Sequence, residues 1–234
     1  KAFKSCDLKY IIFEKFLFLN EVDYQNASYL MKSSGLKGWV NCNRRDWLIY
    51  KKLKFNLEME RVHFISVKGN NWGLLCNSIH FLDLFCWLLK SSSIELDFNF
   101  VQKKFYKAKR KNNFELYGSI MGKIADTKML INCENISGKS FEIKIHTGNK
   151  NITINEKEKW VVTNTSKSTD ILSPIHIPMV SELTEKFYQE IIDSGSCSLP
   201  TFEESSKIHL VFLKQVLNGV KNFEGLDNKK LIFT

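Results

Sequence analysis

Apolar residues run almost without a break from Leu8 to Phe13, and the β-branched and aromatic content of Tyr10-Ile11-Ile12-Phe13 predicts a buried strand. Between Asn20 and Ser34 the apolar spacing opens to that of a helix. Val22, Ala27, Leu30 and Met31 share a face, Asn20 stands where an N-cap is wanted, and Gly35 supplies the stop. Leu36 to Asn41 then reads as a second short strand. A strand, a helix and a strand in this order favour a parallel pair, and the unit reads as the tail of an α/β domain whose start lies upstream of Lys1.

Asp46 to Leu57 predicts a helix with Trp47, Tyr50, Leu53 and Leu57 on one side. Arg61 to Lys68 alternates as a strand, with Val62, Phe64 and Ser66 facing one way, and Asn70-Asn71-Trp72-Gly73 is a turn. A strongly apolar helix follows from Ser78 to Leu89, offering Ile79, Leu82, Phe85 and Leu89 to a core. From Ile94 to Asn164 the period drops to two. Strands are expected over Glu115–Ile124, Lys128–Asn132, Lys139–His146, Ile152–Asn155 and Lys159–Thr163, with Gly138 and Gly148-Asn149 turning antiparallel hairpins. Two helices close the chain, Val180 to Ser194 and Glu203 to Asn222, the second opened by the capping box Thr201-x-x-Glu204. The fold class is therefore α/β (α+β), a short β-α-β unit followed by a large, mostly antiparallel sheet packed on helices.

With 234 residues, 44% hydrophobic and 25% charged, the chain buries a core without help from metals or disulfides, and wholesale disorder is excluded. The net charge of +9 raises a nucleic-acid reading, focused on Lys103, Lys104, Lys107, Lys109, Arg110 and Lys111. No base-stacking aromatic pattern accompanies that run, so it reads as the solvated coat of a hairpin and no nucleic-acid partner is expected. Cys6, Cys42, Cys76, Cys86, Cys133 and Cys197 include no C-x-x-C; they give no metal site and suggest a reducing compartment, the cytoplasm. The most apolar stretch, Leu74 to Leu89, is too short to span a bilayer and contains Asn77, His80 and Asp83, so no membrane association is expected.

No G-x-G-x-x-G, Walker, H-E-x-x-H or G-x-S-x-G pattern occurs. His63, His146, His176 and His209 are isolated and read as surface or satisfied core histidines. His80 differs, because it falls in the first turn of the expected helix, where the dipole keeps an imidazole neutral, and Asp83 three residues on is placed to orient it. That makes it a candidate general acid/base; the competing reading is a polar cluster capping the helix. Glu14-Lys15 is the second candidate, a charged pair at the carboxyl end of a buried parallel strand, where open α/β sheets take ligands; the competing reading is a surface salt bridge at a strand exit.

Glu14-Lys15-Phe16, Asn43-Arg44-Arg45 and the segment Cys76-Asn77-Ser78-Ile79-His80-Phe81-Leu82-Asp83-Leu84 occur in an order and spacing that resemble the later two-thirds of a Gfo/Idh/MocA-family oxidoreductase. The closing helix and the final Leu231-Ile232-Phe233-Thr234 are similar too. Phe16 stands where the family's E-K-P has proline, and Cys76 and Ser78 stand where its D-x-G-x-H has aspartate and glycine. The resemblance implies a two-domain enzyme that transfers hydride between NAD or NADP and a sugar, nucleotide sugar or polyol, with surface-polysaccharide biosynthesis as one setting. It places the C-terminal remnant of a Rossmann domain in residues 1–45 and a substrate-binding and oligomerisation domain in residues 46–234, with about 100 further residues carrying the glycine-rich loop expected upstream. It assigns catalysis to Lys15 and His80, cofactor contacts to Glu14, Lys15 and Arg45, and substrate contacts to Lys15, Asn77 and His80. A homo-oligomer, dimer or tetramer, is expected through the sheet. The alternative is a binding or assembly module of the same fold without activity.

Overall fold

The computed structural model describes residues 8–108, 113–221 and 223. The elements run β1 (Tyr10–Phe13), α1 (Glu21–Ser34), β2 (Lys37–Val40), a 3₁₀ turn (Asn43–Asp46), α2 (Leu48–Asn56), β3 (Val62–Asn70), α3 (Leu74–Leu88), β4 (Ile94–Val101), β5 (Tyr106–Lys107), β6 (Phe114–Glu115), β7 (Gly118–Ile124), β8 (Thr127–Glu134), β9 (Ser140–Thr147), β10 (Asn151–Asn155), β11 (Trp160–Asn164), β12 (Thr169–Leu172), α4 (Val180–Ser194) and α5 (Phe202–Gly219). β1 and β2 pair in parallel across α1, as the sequence pattern predicts. Gly35 ends α1 in the left-handed conformation, at φ +65°. The buried face of α1 is carried by Tyr24 and Met31; Val22 and Leu30, expected on it, are exposed. Tyr24 is drawn inward because its hydroxyl donates to the Phe18 carbonyl at 3.0 Å.

The main sheet has eight strands in the order β12-β11-β10-β9-β3-β8-β7-β4, antiparallel except for the central pair β3 and β8. Its inner face is built from Ile65, Val67, Ile120, Met129, Ile131, Ile143, Ile145 and Ile154, all at most 1% exposed, and it packs against α3 and α5. In β3 the buried apolar positions are thus Val62, Ile65 and Val67 rather than Phe64, and Ser66 is buried as well. A register shift between Val62 and Phe64 reverses the alternation there, which a strict period of two does not anticipate. Gly69 is required further along the strand, since a Cβ would lie 2.0 Å from the Ser140 carbonyl oxygen of β9. The outer face is mixed. Phe64, Met121, Leu130, Val162 and Ile171 alternate on it with Lys68, Lys128, Glu142 and Lys144.

Two elements place the site. α3 is the most apolar helix, with eleven of its residues buried, so it is clamped between the sheet and α5 and its N-terminus is rigid. α5 starts at the capping box Thr201/Glu204, with Thr201 Oγ1 accepting from the Glu204 amide at 3.2 Å. The segment before it bonds to β2, Val40 N donating to Pro200 O at 3.0 Å. α5 therefore packs against both the small parallel sheet and the large sheet, and ties the end of β1 to α3. Cys6, Lys109, Arg110, Lys111, Asn222 and Leu231 to Thr234 lie outside the described residues.

Candidate active site

The chain leaves β1 at Glu14-Lys15, and the Lys15–Phe16 peptide is cis. Phe16 is buried, with its ring 4.7 Å from that of His209 and 6.1 Å from that of Phe212. Anchored by this neighbour, Lys15 reaches across to the start of α3. Its Nζ donates to the Cys76 carbonyl at 2.8 Å and to Asn77 Oδ1 at 3.1 Å, and lies 3.5 Å from Cys76 Sγ. Asn77 is fixed in turn by its Nδ2, which donates to the Trp72 carbonyl. Glu14 is exposed and accepts from Asn41 Nδ2 at 2.8 Å, beyond the end of β2. The lysine thus stands at the carboxyl ends of two parallel strands, held to the helix that carries His80.

α3 begins at Leu74 rather than Ser78. Gly73, at φ +90°, lets the chain enter the helix directly from the turn, and a Cβ there would press on Asn77 Nδ2 at 3.0 Å. Glu115, from the two-stranded β5–β6 hairpin, caps the new N-terminus. Its carboxylate accepts from the amides of Leu75 at 2.9 Å and Cys76 at 2.8 Å. Burial pushes the Glu115 carboxyl up, against those amide bonds and the charge of Lys15. Sequence reasoning missed this residue, because a Glu between Phe114 and Leu116 carries no sign that it faces inward.

His80 therefore lies in the second turn of α3, and the helix dipole is not what keeps it neutral. Desolvation holds its pKa well below the usual histidine value, reinforced by the charges of Arg44 and Lys15 and by His209. Nor does Asp83 orient it. Asp83 is 2% exposed and accepts both arms of the Arg45 fork, at 2.7 Å from Nε and 2.6 Å from Nη2. Burial raises the Asp83 carboxyl to about 6 against the pull of Arg45, and the pair is ionised at neutral pH. Arg45, expected as a cofactor contact, is thus committed to bracing α3 against the 3₁₀ turn. Its neighbour Arg44 forks onto Glu156 at 2.8 and 2.9 Å, with its guanidinium carbon 4.7 Å from the centre of the Phe81 ring. Tyr50 donates to the same carboxylate at 2.5 Å. The structure brings Lys15, Cys76 and Asn77 into direct contact beside His80 and leaves Glu14 and Arg45 outside that cluster.

His209, read as a surface or satisfied core histidine, is a core residue bonded to the protein through one ring nitrogen. It is 1% exposed, its Nδ1 donates to the Ser205 carbonyl at 2.8 Å, and its Nε2 is buried without a partner. Burial lowers its pKa to about 4, with the Lys15 charge adding to the effect and the Ser205 bond opposing it. The unfolded chain, whose histidines titrate near 6.5, binds this proton first. The stability His209 contributes is therefore complete above pH 6.5 and is lost as pH falls toward 4. Wild type is expected to lose about 3 kcal/mol relative to His209→Gln across that interval. Urea denaturation of both proteins at several pH values checks this, and parallel pH profiles contradict it.

Among the described residues no group of histidine, cysteine and carboxylate side chains could hold a metal ion, and five cysteines are free. No helix there is long and apolar enough to cross a membrane. No family model and no curated protein matches the sequence. Solved structures do match. A dehydrogenase (MviM) from Clostridium difficile superposes with TM-score 0.67 at 16% identity, over 90% of this chain and 71% of that one. UDP-N-acetylglucosamine 3-dehydrogenase GnnA from Acidithiobacillus ferrooxidans gives 0.70 at 8% identity, over 91% and 70%. An oxidoreductase from Agrobacterium radiobacter, in complex with NAD+, L-tartaric acid and magnesium, gives 0.67 at 13% identity, over 90% and 70%. The fold of the chain is that of the later part of these Gfo/Idh/MocA-type proteins, with the large sheet of their C-terminal domain.

Proposed function

We propose that this chain is the C-terminal portion of an NAD(P)-dependent oxidoreductase that acts on a hydroxyl- or carbonyl-bearing carbon of a sugar, nucleotide sugar or polyol. The observation that carries the reading is the convergence of Lys15, at the carboxyl end of β1, with the N-terminal turns of the helix that holds a neutral His80. Dehydrogenases of the same fold, one of them acting on a nucleotide sugar, support it. Residues 1–45 then serve as the remnant of the dinucleotide-binding domain, and residues 46–234 as the substrate and oligomerisation domain.

The residues present fit the nicotinamide end of such a cofactor. Glu14 and Lys15 leave β1 at the place where open α/β sheets receive ligands, whereas the sequence contains no glycine-rich loop for the diphosphate. When bound, the cofactor accepts or gives the hydride. The protein's own part is to move a proton and to hold charge. His80, neutral and half-buried, takes the proton from the substrate hydroxyl in oxidation and returns it in reduction. The Lys15 ammonium faces the same oxygen and offsets its developing negative charge. Asn77 and the Cys76 carbonyl fix the ammonium, so that it needs no reorganisation as charge develops. The apolar residues on the outer face of the large sheet support association into a dimer or tetramer through that face. Unpaired cysteines are in keeping with a cytoplasmic location.

Without the diphosphate loop, the 234-residue chain alone is expected to show no saturable NAD(P)H binding in the micromolar range. Fluorescence titration checks this, and micromolar binding would move the cofactor site elsewhere.

A further inference from the structure

Two imidazole nitrogens are buried without a hydrogen-bond partner: Nδ1 of His80 on α3 and Nε2 of His209 on α5. The two helices pack directly against each other. Phe16, the residue after Lys15, has its ring on that of His209, so the second imidazole sits immediately behind the lysine. Buried polar atoms in native proteins are bonded, and those that find no side chain or backbone partner are bonded to ordered water or to a ligand. At 1% exposure, His209 is out of reach of a substrate.

The protonation of the pair follows from their other contacts. The Ser205 carbonyl accepts only, so the His209 proton is on Nδ1 and its Nε2 carries a lone pair. An acceptor there pairs through one water with a donor, and His80 Nδ1 supplies one when its proton is on that nitrogen. We propose that His209 is a positioning residue for proton transfer: its Nε2 accepts from a water that accepts the His80 Nδ1–H. The lone pair of His80 is thereby held on Nε2, on the edge of a ring that is still partly exposed. This deepens the reading of His80 as the proton-transfer group and rests on it. It supplies the orienting contact that Asp83, committed to Arg45, does not. A neutral partner also orients the ring without adding a negative charge. That agrees with a site whose other facing groups are the cations Arg44 and Lys15.

Nitrogen and carbon NMR of the chain labelled at histidine tests this without activity. At pH 7 His80 is expected as the neutral Nδ1–H tautomer, and in His209→Leu that tautomer falls from the dominant form to less than half. His209→Gln, whose amide oxygen accepts in the same place, restores it. In the complete enzyme His209→Leu is expected to lower kcat about tenfold with KM unchanged, and the glutamine variant to recover most of the loss. Wild-type His80 found as Nε2–H, or the same His80 tautomer in wild type and His209→Leu, overturns the proposal. If the leucine variant does not fold, the wild-type and glutamine spectra still decide it. Full turnover in His80→Ala would sink the proton-transfer reading, while the tautomer shift between wild type and His209→Leu would leave the coupling of the two histidines standing.

Discussion

His80→Ala or His80→Asn in the complete enzyme is expected to lower kcat by roughly 10²–10⁴-fold, the usual share of a general acid/base, with little effect on cofactor affinity. The reason is where the residue sits. Its ring is neutral through burial and through the nearby cations, so at neutral pH it can take a proton without first losing one. Lys15→Ala is expected to behave differently, lowering kcat and raising KM together, because an ammonium on the substrate oxygen acts in the ground state and the transition state alike. It also leaves the Cys76 carbonyl and Asn77 Oδ1 without their donor. Steady-state kinetics of the two variants separates these patterns. A His80 variant with wild-type turnover removes this histidine from the mechanism.

The largest effect on stability is expected at the Arg45–Asp83 pair. Asp83→Ala leaves a guanidinium buried beside α3 with no counter-charge, and stranding one member of a buried pair costs about 3–5 kcal/mol. Replacing both members with apolar residues, Arg45→Met with Asp83→Leu, strands nothing and is expected to cost far less. Urea unfolding of the single and double variants makes the comparison. Equal destabilisation in the two would mean that packing at this spot, rather than charge compensation, is what matters.

The large features of the fold are legible in the sequence because they follow from periodicity. The β-α-β start, β7 to β11 and α4 fall where the apolar spacing puts them, but β3 enters the sheet between β8 and β9, so Gly138 does not turn a hairpin. What the pattern misses are long-range effects on single residues. The start of α3 is set by Glu115, thirty-nine residues beyond Cys76 in the chain, and so the helix begins four residues early. Phe64 leaves the core because of an irregularity in the pairing of β3 with β9. Within the site, Lys15 donates to Asn77, a contact the local pattern does not announce, whereas Asp83 is taken by Arg45 from a turn thirty-eight residues away. His209 gives no local signal at all. It is one polar residue in the apolar run between Ile208 and Leu213, and only the packing of α5 behind Phe16 brings it to the site.

If Lys15 and His80 serve one hydride-transfer site, isotope transfer from the cofactor reports it. The complete enzyme is incubated with NADH or NADPH carrying deuterium at both C4 positions and a panel of keto-sugars and keto-sugar nucleotides, and the products are read by mass spectrometry. Deuterium is expected on the reduced carbon of a product with the wild-type enzyme, and its loss in the Lys15→Ala/His80→Ala double variant. Label transferred undiminished by the double variant, or product formed without label, would contradict it.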